Sequence, residues 1–249
     1  MIKYILLGIV QGLTEFFPVS SSAHLVITQR VLGIQGKEVA LSVVLHLGTL
    51  CALAVFFFKD ILALLRNVRS IILILIITFI TGIIGVARKS FFEALFSNIR
   101  VVGIALIFTA VILFFASRAM NGKRNIINIK DALILGLTQG IAIIPGISRS
   151  GMTISTLLFR GVEKQEAFRF SFLASMPVIL GAALLEAKKI GFCLLRQGEF
   201  AHFAAGFMSS FCIGLLALWL LKRIIARAKL HYFAYYCVVL SLITLIFIR

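Results

Sequence analysis

The stretch "LGIVQGLTEFFPVSSSAHLVITQRVLG", residues 7–33, lies without a gap on "LGLTQGIAIIPGISRSGMTISTLLFRG", residues 135–161. Leu7, Gly8, Gln11, Gly12, Ser20, Ser22, Thr28 and Gly33 meet identical residues. Most matches are Gly, Gln, Ser or Thr rather than the abundant Leu or Ile, so composition explains them badly and an internal repeat explains them well. Both copies are apolar at their ends and broken in the middle. Pro18 and Pro145, two of only three prolines, fall at the two breaks, one position out of register. Proline ends a helix by removing a donor and clashing with the preceding turn. Each half is then too short to cross about 30 Å of hydrocarbon. The two regions, about 4–33 and 132–160, therefore read as re-entrant helix–loop–helix hairpins, whose freed backbone groups must be satisfied inside protein or a wet cavity.

The rest of the chain is what such hairpins need around them. Its 249 residues are 61% hydrophobic and 14% charged, with mean hydropathy +1.11, a balance that no water-soluble domain of this size could cover with a polar surface. Six apolar runs, about 40–58, 71–87, 99–116, 170–187, 203–221 and 232–248, are long enough or nearly so to span as helices. Three of them separate the hairpins, and an odd number makes the second hairpin enter from the opposite face. The expected fold is an all-α integral membrane protein, a single membrane domain over 1–249. It is an inverted repeat (about 1–120 and 129–249) in which each half is a re-entrant hairpin plus three transmembrane helices, six spans in total.

The formal charge is +16, with Lys and Arg gathered in short connectors, as contact with anionic headgroups requires. No basic stretch is long enough for a nucleic-acid patch. Lys3, Arg30, Lys37, Arg88, Lys89, Arg100, Lys188, Lys189, Arg196 and Arg249 fall on the side holding both termini, the remaining cations opposite, which places the termini outside the cytoplasm. Cys51, Cys193, Cys212 and Cys237 stand singly, so neither a disulfide framework nor a zinc site is implied. The N-terminal "MIKYILLGIVQGLTEF" lacks a small-residue cleavage site and soon carries Gln11 and Glu15, and reads as mature structure.

The repeats have diverged in a complementary way. Glu15 in the first faces Ile143 in the second, and Ser21 faces Arg149. One half supplies acid, hydroxyls and the His24 imidazole; the other supplies a guanidinium. Gln11 and Glu15, four apart, share a helix face. Ser20, Ser21 and Ser22 can cap the returning half-helix that carries His24. In the second copy Gly146 permits a tight turn, Ser148 or Ser150 can cap, Arg149 projects from the tip and Thr153 lies in the next turn. Two half-helix N-termini facing one cavity, with hydroxyls and an arginine fork, make an anion site suited to phosphate.

These residues carry a resemblance. "QGLTE" followed by "PVSSSAH", and "PGISRSGMT" in the second half, are similar to the undecaprenyl-diphosphate phosphatase family, also called the bacitracin-resistance family. Gln11 to Glu15 fits its (E/Q)-x-x-x-E signature, and Pro145 to Thr153 fits P-G-x-S-R-S-x-x-T. "FSFLASMPVILGA" (170–182) also resembles the family, and the likeness runs to about residue 187, beyond which only hydropathy matches. Where some members carry a second glutamate this chain has Gln11. The resemblance implies hydrolysis of a polyprenyl diphosphate to the monophosphate and inorganic phosphate at the outer face of a bacterial cytoplasmic membrane, recycling the lipid carrier of cell-wall synthesis.

On that reading Arg149 clamps the phosphoryl group, and Ser20, Ser22, Ser148, Ser150 and Thr153 hold phosphate oxygens. Glu15 with Gln11 holds Mg²⁺ or Ca²⁺, or positions a water. Ser21 is the candidate nucleophile, with His24 as its base or the leaving-group acid; direct attack by water stays open. The partners are the polyprenyl diphosphate and membrane lipids, without nucleic acid, and a homo-oligomer is open. A transporter of a phospholipid carrier or small anion could use the same midplane site, though with less need for Glu15, Ser21 and His24. Elsewhere, His46 reads as structural, Glu186 as a solvated partner of Lys188 and Lys189, Glu163 to Glu166 as a hydrated loop, and Arg160 and Arg169 as headgroup anchors.

Overall fold

The computed structural model describes residues 1–33, 38–186 and 200–247; Cys193 and the cations Lys37, Lys188, Lys189, Arg196 and Arg249 lie outside the described residues. Among these there are twelve helices. The first half contains α1 (Ile2–Phe16), α2 (Ser21–Val31), α3 (Glu38–Phe56), α4 (Phe58–Leu65), α5 (Val68–Ala87), α6 (Lys89–Phe96) and α7 (Ile99–Ala116). The second contains α8 (Ile129–Ile141), α9 (Arg149–Phe159), α10 (Lys164–Leu185), α11 (Phe200–Ala226) and α12 (His231–Phe247). An isolated bridge between Arg124 and Val162 is the β pairing found among the described residues.

The chain is a multi-pass, all-helical membrane protein. Helices α5, α7, α10 and α11 are each long and apolar enough to cross, and α3 with α4 forms a fifth candidate bent by 75° at the break between them. The sixth span expected from sequence is α12, an apolar helix of 17 residues, shorter than the roughly 20 that a perpendicular crossing takes. Ile72, Leu75, Phe79, Ile83 and Val86 on α5, and Ile104, Phe108, Val111 and Phe115 on α7, are exposed at helical spacing. Those stripes are the faces turned to lipid.

Helices in lipid gain little from burying apolar surface against one another, so close packing of small residues must hold them together. The glycines shared by the repeat supply it. A Cβ at Gly12 on α1 would lie 2.9 Å from both the Gly214 amide and the Ser210 carbonyl of α11, and one at Gly136 on α8 would lie 2.9 Å from Ile80 Cβ of α5. The packing is crossed: α1 lies on α11 and α8 on α5, while α3 also packs on α11, α10 on α5, and α7 on α12. Each hairpin's leading arm thus rests on a helix from the other half of the sequence.

The outer end of the second hairpin is bolted at Asp131, which is fully buried. Arg124 reaches it through two nitrogens (2.6 and 3.0 Å), Arg160 Nε at 2.9 Å and the Asn128 amide at 2.9 Å. Asn128 returns the favour by accepting the Asp131 amide, a reciprocal cap on α8. Burial pushes the Asp131 carboxyl up, and the hydrogen bonds from Arg124, Asn128 and Arg160 outweigh it, holding the group below the usual carboxylate range. Arg160, exposed but paired with the buried carboxylate, thus has a structural role beside the headgroup contact expected of it. Glu163 to Glu166 likewise is not a loop: Glu163 caps α10 by accepting the Gln165 and Glu166 amides, and Glu166 pairs with Arg169 at 2.8 Å.

Candidate active site

The turn at each hairpin tip repeats the same local solution. Ser20 Oγ accepts the Ala23 amide and touches Ser22 Oγ at 3.1 Å; Ser148 Oγ accepts the Gly151 amide and touches Ser150 Oγ at 3.3 Å. These four serines cap and brace the returning helices. The backbone groups freed by the breaks are met from outside: Thr109 on α7 donates to the Gly146 carbonyl (2.9 Å) and accepts the Ser148 amide (3.0 Å), and Cys237 on α12 donates to the Pro18 carbonyl (3.8 Å). Gly146 sits at φ +100° and Ser20 at φ +68°. The second is a strained conformation for a residue with a Cβ, of the kind that tends to collect at functional sites.

Held this way, the tips meet. The Arg149 guanidinium pairs with Glu15 Oε1 across 134 positions of sequence, the glutamate side chain 1% exposed and the arginine 23%. The second carboxylate oxygen is crowded too. Ser21 donates to Glu15 Oε2 at 2.6 Å and Gln11 Nε2 at 3.0 Å, while His46 Nε2 of α3 lies 3.4 Å away. A cavity of about 310 Å³ opens beside the pair, lined by Ser21, Ser22, His46, Gln139 and Ser148 on its polar side and by Val43, Phe96, Ile147, Val178 and Ile179 on its apolar side. The arrangement offers a cation and a carboxylate at one end of a greasy slot, the complement of a lipid with a charged head.

Not every expected residue reaches this cavity. His24 turns elsewhere: Nδ1 is 2.8 Å from the Ser20 carbonyl and Nε2 is 2.7 Å from the Tyr236 hydroxyl of α12, so the group on Ser21 is Glu15 and not His24. Thr153 bonds the Arg149 carbonyl and touches Ser171, and Ser150 reaches the Phe17 carbonyl, both on the closed side of the ion pair. His46, read from sequence as structural, lies in the cavity wall, oriented by a 2.7 Å contact of Nδ1 with the Ser42 carbonyl. Glu186 also lines the cavity and pairs with Lys89 of α6 at 2.8 Å; the Lys188 and Lys189 proposed for it from sequence lie outside the described residues.

Fold and site together define a multi-pass helical membrane protein whose two helical hairpins bury an acid–guanidinium pair at their tips. The family model described as bacitracin resistance protein BacA matches residues 4–243. The chain belongs to that family, and the match covers α11 and most of α12, further than the motif-based likeness to residue 187. Among relatives, the undecaprenyl-diphosphatase of Carboxydothermus hydrogenoformans is 40% identical over 97% of this chain and 95% of its own length. Those of Alkaliphilus metalliredigens and Bacteroides thetaiotaomicron are 40% and 38% identical, each over 98% of both chains.

Proposed function

We infer that the chain hydrolyses undecaprenyl diphosphate to the monophosphate and inorganic phosphate. Its relatives carry that name over nearly their whole length, and the transporter reading finds no support among them. The observation that carries the chemistry is the Ser21–Glu15–Arg149 chain across the hairpin tips.

Arg149 moves from Glu15 to the terminal phosphate and stabilises the charge that builds on its equatorial oxygens. Ser21 Oγ attacks the terminal phosphorus as its proton passes to Glu15 Oε2. The bridging P–O bond then breaks, releasing the polyprenyl phosphate. Amides at the starts of α2 and α9, with Ser22 and Ser148, receive the remaining oxygens. The apolar wall takes the first part of the tail. In this geometry Glu15 replaces His24 as the proton partner of Ser21.

A cation belongs to the same reading. Among the described residues no group of three or more His, Cys, Asp or Glu could hold a metal. Glu15 would offer Oε1 to Mg²⁺ or Ca²⁺ only once Arg149 has left it for the phosphate, with substrate oxygens completing the shell, while Gln11 turns its Nε2 rather than its Oε1 toward Glu15. Such an ion would supply positive charge to offset that of the diphosphate. The smaller number of cations on the termini side, the side of Lys89 and of its cavity-lining partner Glu186, supports a site open away from the cytoplasm.

The test is phosphate release from a polyprenyl diphosphate by the purified protein in detergent, with and without EDTA, beside Arg149→Ala and Glu15→Gln. Release abolished by both substitutions is the expected result. No release from a folded protein would overturn the reading.

A further inference from the structure

Gln139 lies on the last turn of α8, in the cavity wall and 1% exposed. It is the repeat counterpart of Gln11. Its amide orientation is dictated by its neighbours: the Thr81 hydroxyl on α5 donates to the Gly136 carbonyl (3.1 Å), which leaves Thr81 Oγ1 only able to accept, and Gln139 Nε2 donates to it at 3.2 Å. The other end of the amide, Oε1, is buried and receives no hydrogen bond. A buried acceptor left empty is costly, so a glutamine held in the wall of a reaction cavity with its carbonyl oxygen unmet calls for a ligand that donates. The diphosphate head is rich in acceptors. Water, which the reaction must take up, is a donor on both sides. Glu15, by contrast, has both oxygens engaged by Arg149, Ser21, Gln11 and the neighbouring His46.

We propose that Gln139 Oε1, held in place by Thr81, positions the water that completes hydrolysis. The inference rests on the hydrolase reading above. The carbonyl accepts one O–H of the water and leaves an oxygen lone pair directed at phosphorus; it removes no proton, since an amide is no base at neutral pH. In the serine route the water oxygen bonds to the phosphorus of phosphorylated Ser21, the P–Oγ bond breaks, Glu15 returns to Oγ the proton it took in the first step and passes one water proton on to solvent, and the other stays on the released phosphate. In direct attack the same water bonds to the terminal phosphorus, the bridging P–O bond breaks and Glu15 takes the proton. Gln139 serves both routes because both consume water.

The experiment measures the partition of phosphate between water and methanol, as inorganic phosphate and methyl phosphate, with kcat and KM determined in parallel in detergent. For Gln139→Leu the expected result is a kcat lower by about 10²-fold with KM within about twofold, and a methanol share raised about tenfold, because an untethered water loses its advantage of position. Gln139→Glu, which keeps an oxygen at this place, restores the partition while raising KM through its charge. Thr81→Val, which frees the amide to turn, shifts the partition in the same direction as Gln139→Leu. A Gln139→Leu protein with unchanged partition overturns the proposal, whether its kcat is normal or falls with its melting temperature. No release by the unsubstituted protein overturns the hydrolase reading, and this inference with it.

Discussion

At its outer end the second hairpin is fastened by a buried carboxylate gripped by two arginines, while at the outer end of the first the described tie is Lys3 Nζ on the Leu32 carbonyl, 2.7 Å and exposed. The tips are alike in their serine caps, but the anchorages are not. The arm that presents Arg149 is clamped by charge, and the arm that presents Glu15 is held by packing along α11 with one neutral hydrogen bond, from Ser209 Oγ to the Ile5 carbonyl at 3.2 Å. A fixed guanidinium with a more yielding carboxylate suits a site in which an ion pair must open to admit a charged head and close again.

The largest test of this contrast removes the contact itself. Arg149→Ala should lower kcat by about 10³-fold or more, the scale of an arginine that stabilises a phosphoryl transition state, and Arg149→Lys should recover little of it. Phosphate release reads both. Asp131→Ala comes next: loss of the helix cap and of the charge-assisted hydrogen bonds from two partly exposed arginines should cost about 2 kcal/mol, against under about 0.5 kcal/mol for Lys3→Ala, measured by thermal unfolding in detergent. Equal losses would erase the difference between the hairpins. Ser21→Ala should cost about 10²-fold in kcat, and near-normal turnover would remove the serine route.

Smaller effects should separate the two packing seams. Gly12→Ala presses on the backbone of α11 and should cost about 2–3 kcal/mol, whereas Gly140→Ala meets side chain alone, Ile84 Cδ1 nearest with its Cβ and Cγ2 at 3.2 Å, and should cost about 1 kcal/mol. The smallest effect is the pH response of the clasp. The Asp131 carboxyl is lowered on folding, so its contribution is fully present above the unfolded carboxylate value of about 4 and is lost as pH falls through the lower folded value. The melting temperature attributable to Asp131, as the difference from Asp131→Asn, should be level from neutrality to about pH 5 and shrink only in stronger acid.

How much of this could be read in the chain depends on the range of the interaction. The hairpins announce themselves because proline and serine act locally, and the meeting of Glu15 with Arg149 follows from a repeat whose copies carry opposite charges. His46 left no comparable mark, being one histidine on an apolar helix whose partner lies 31 positions earlier on another. The pairing of His24 with Tyr236, 212 positions apart, and of Lys89 with Glu186, 97 apart, had no local signal either. Asp131 could have been found from Asn128, three before it, as a reciprocal helix cap, but nothing nearby names Arg160 as its second arginine. The corner between α3 and α4 has neither proline nor glycine; it falls at Phe57, packed among Phe56, Phe168 and Phe172 with ring centroids 4.9–6.1 Å away, a tertiary cause invisible in the local sequence.

The crossed packing also sets an order of events at the ribosome. When α8 is made, its bed on α5 already exists, so the second hairpin can seat at once. The first cannot: Gly8 and Gly12 await Gly206 to Gly214, some two hundred residues downstream, which at about 5–20 residues per second is a delay of roughly 10–40 s. For that interval a helix hairpin too short to cross the bilayer, with its glutamate unneutralised until Arg149 is made, has to be sheltered from lipid by other protein.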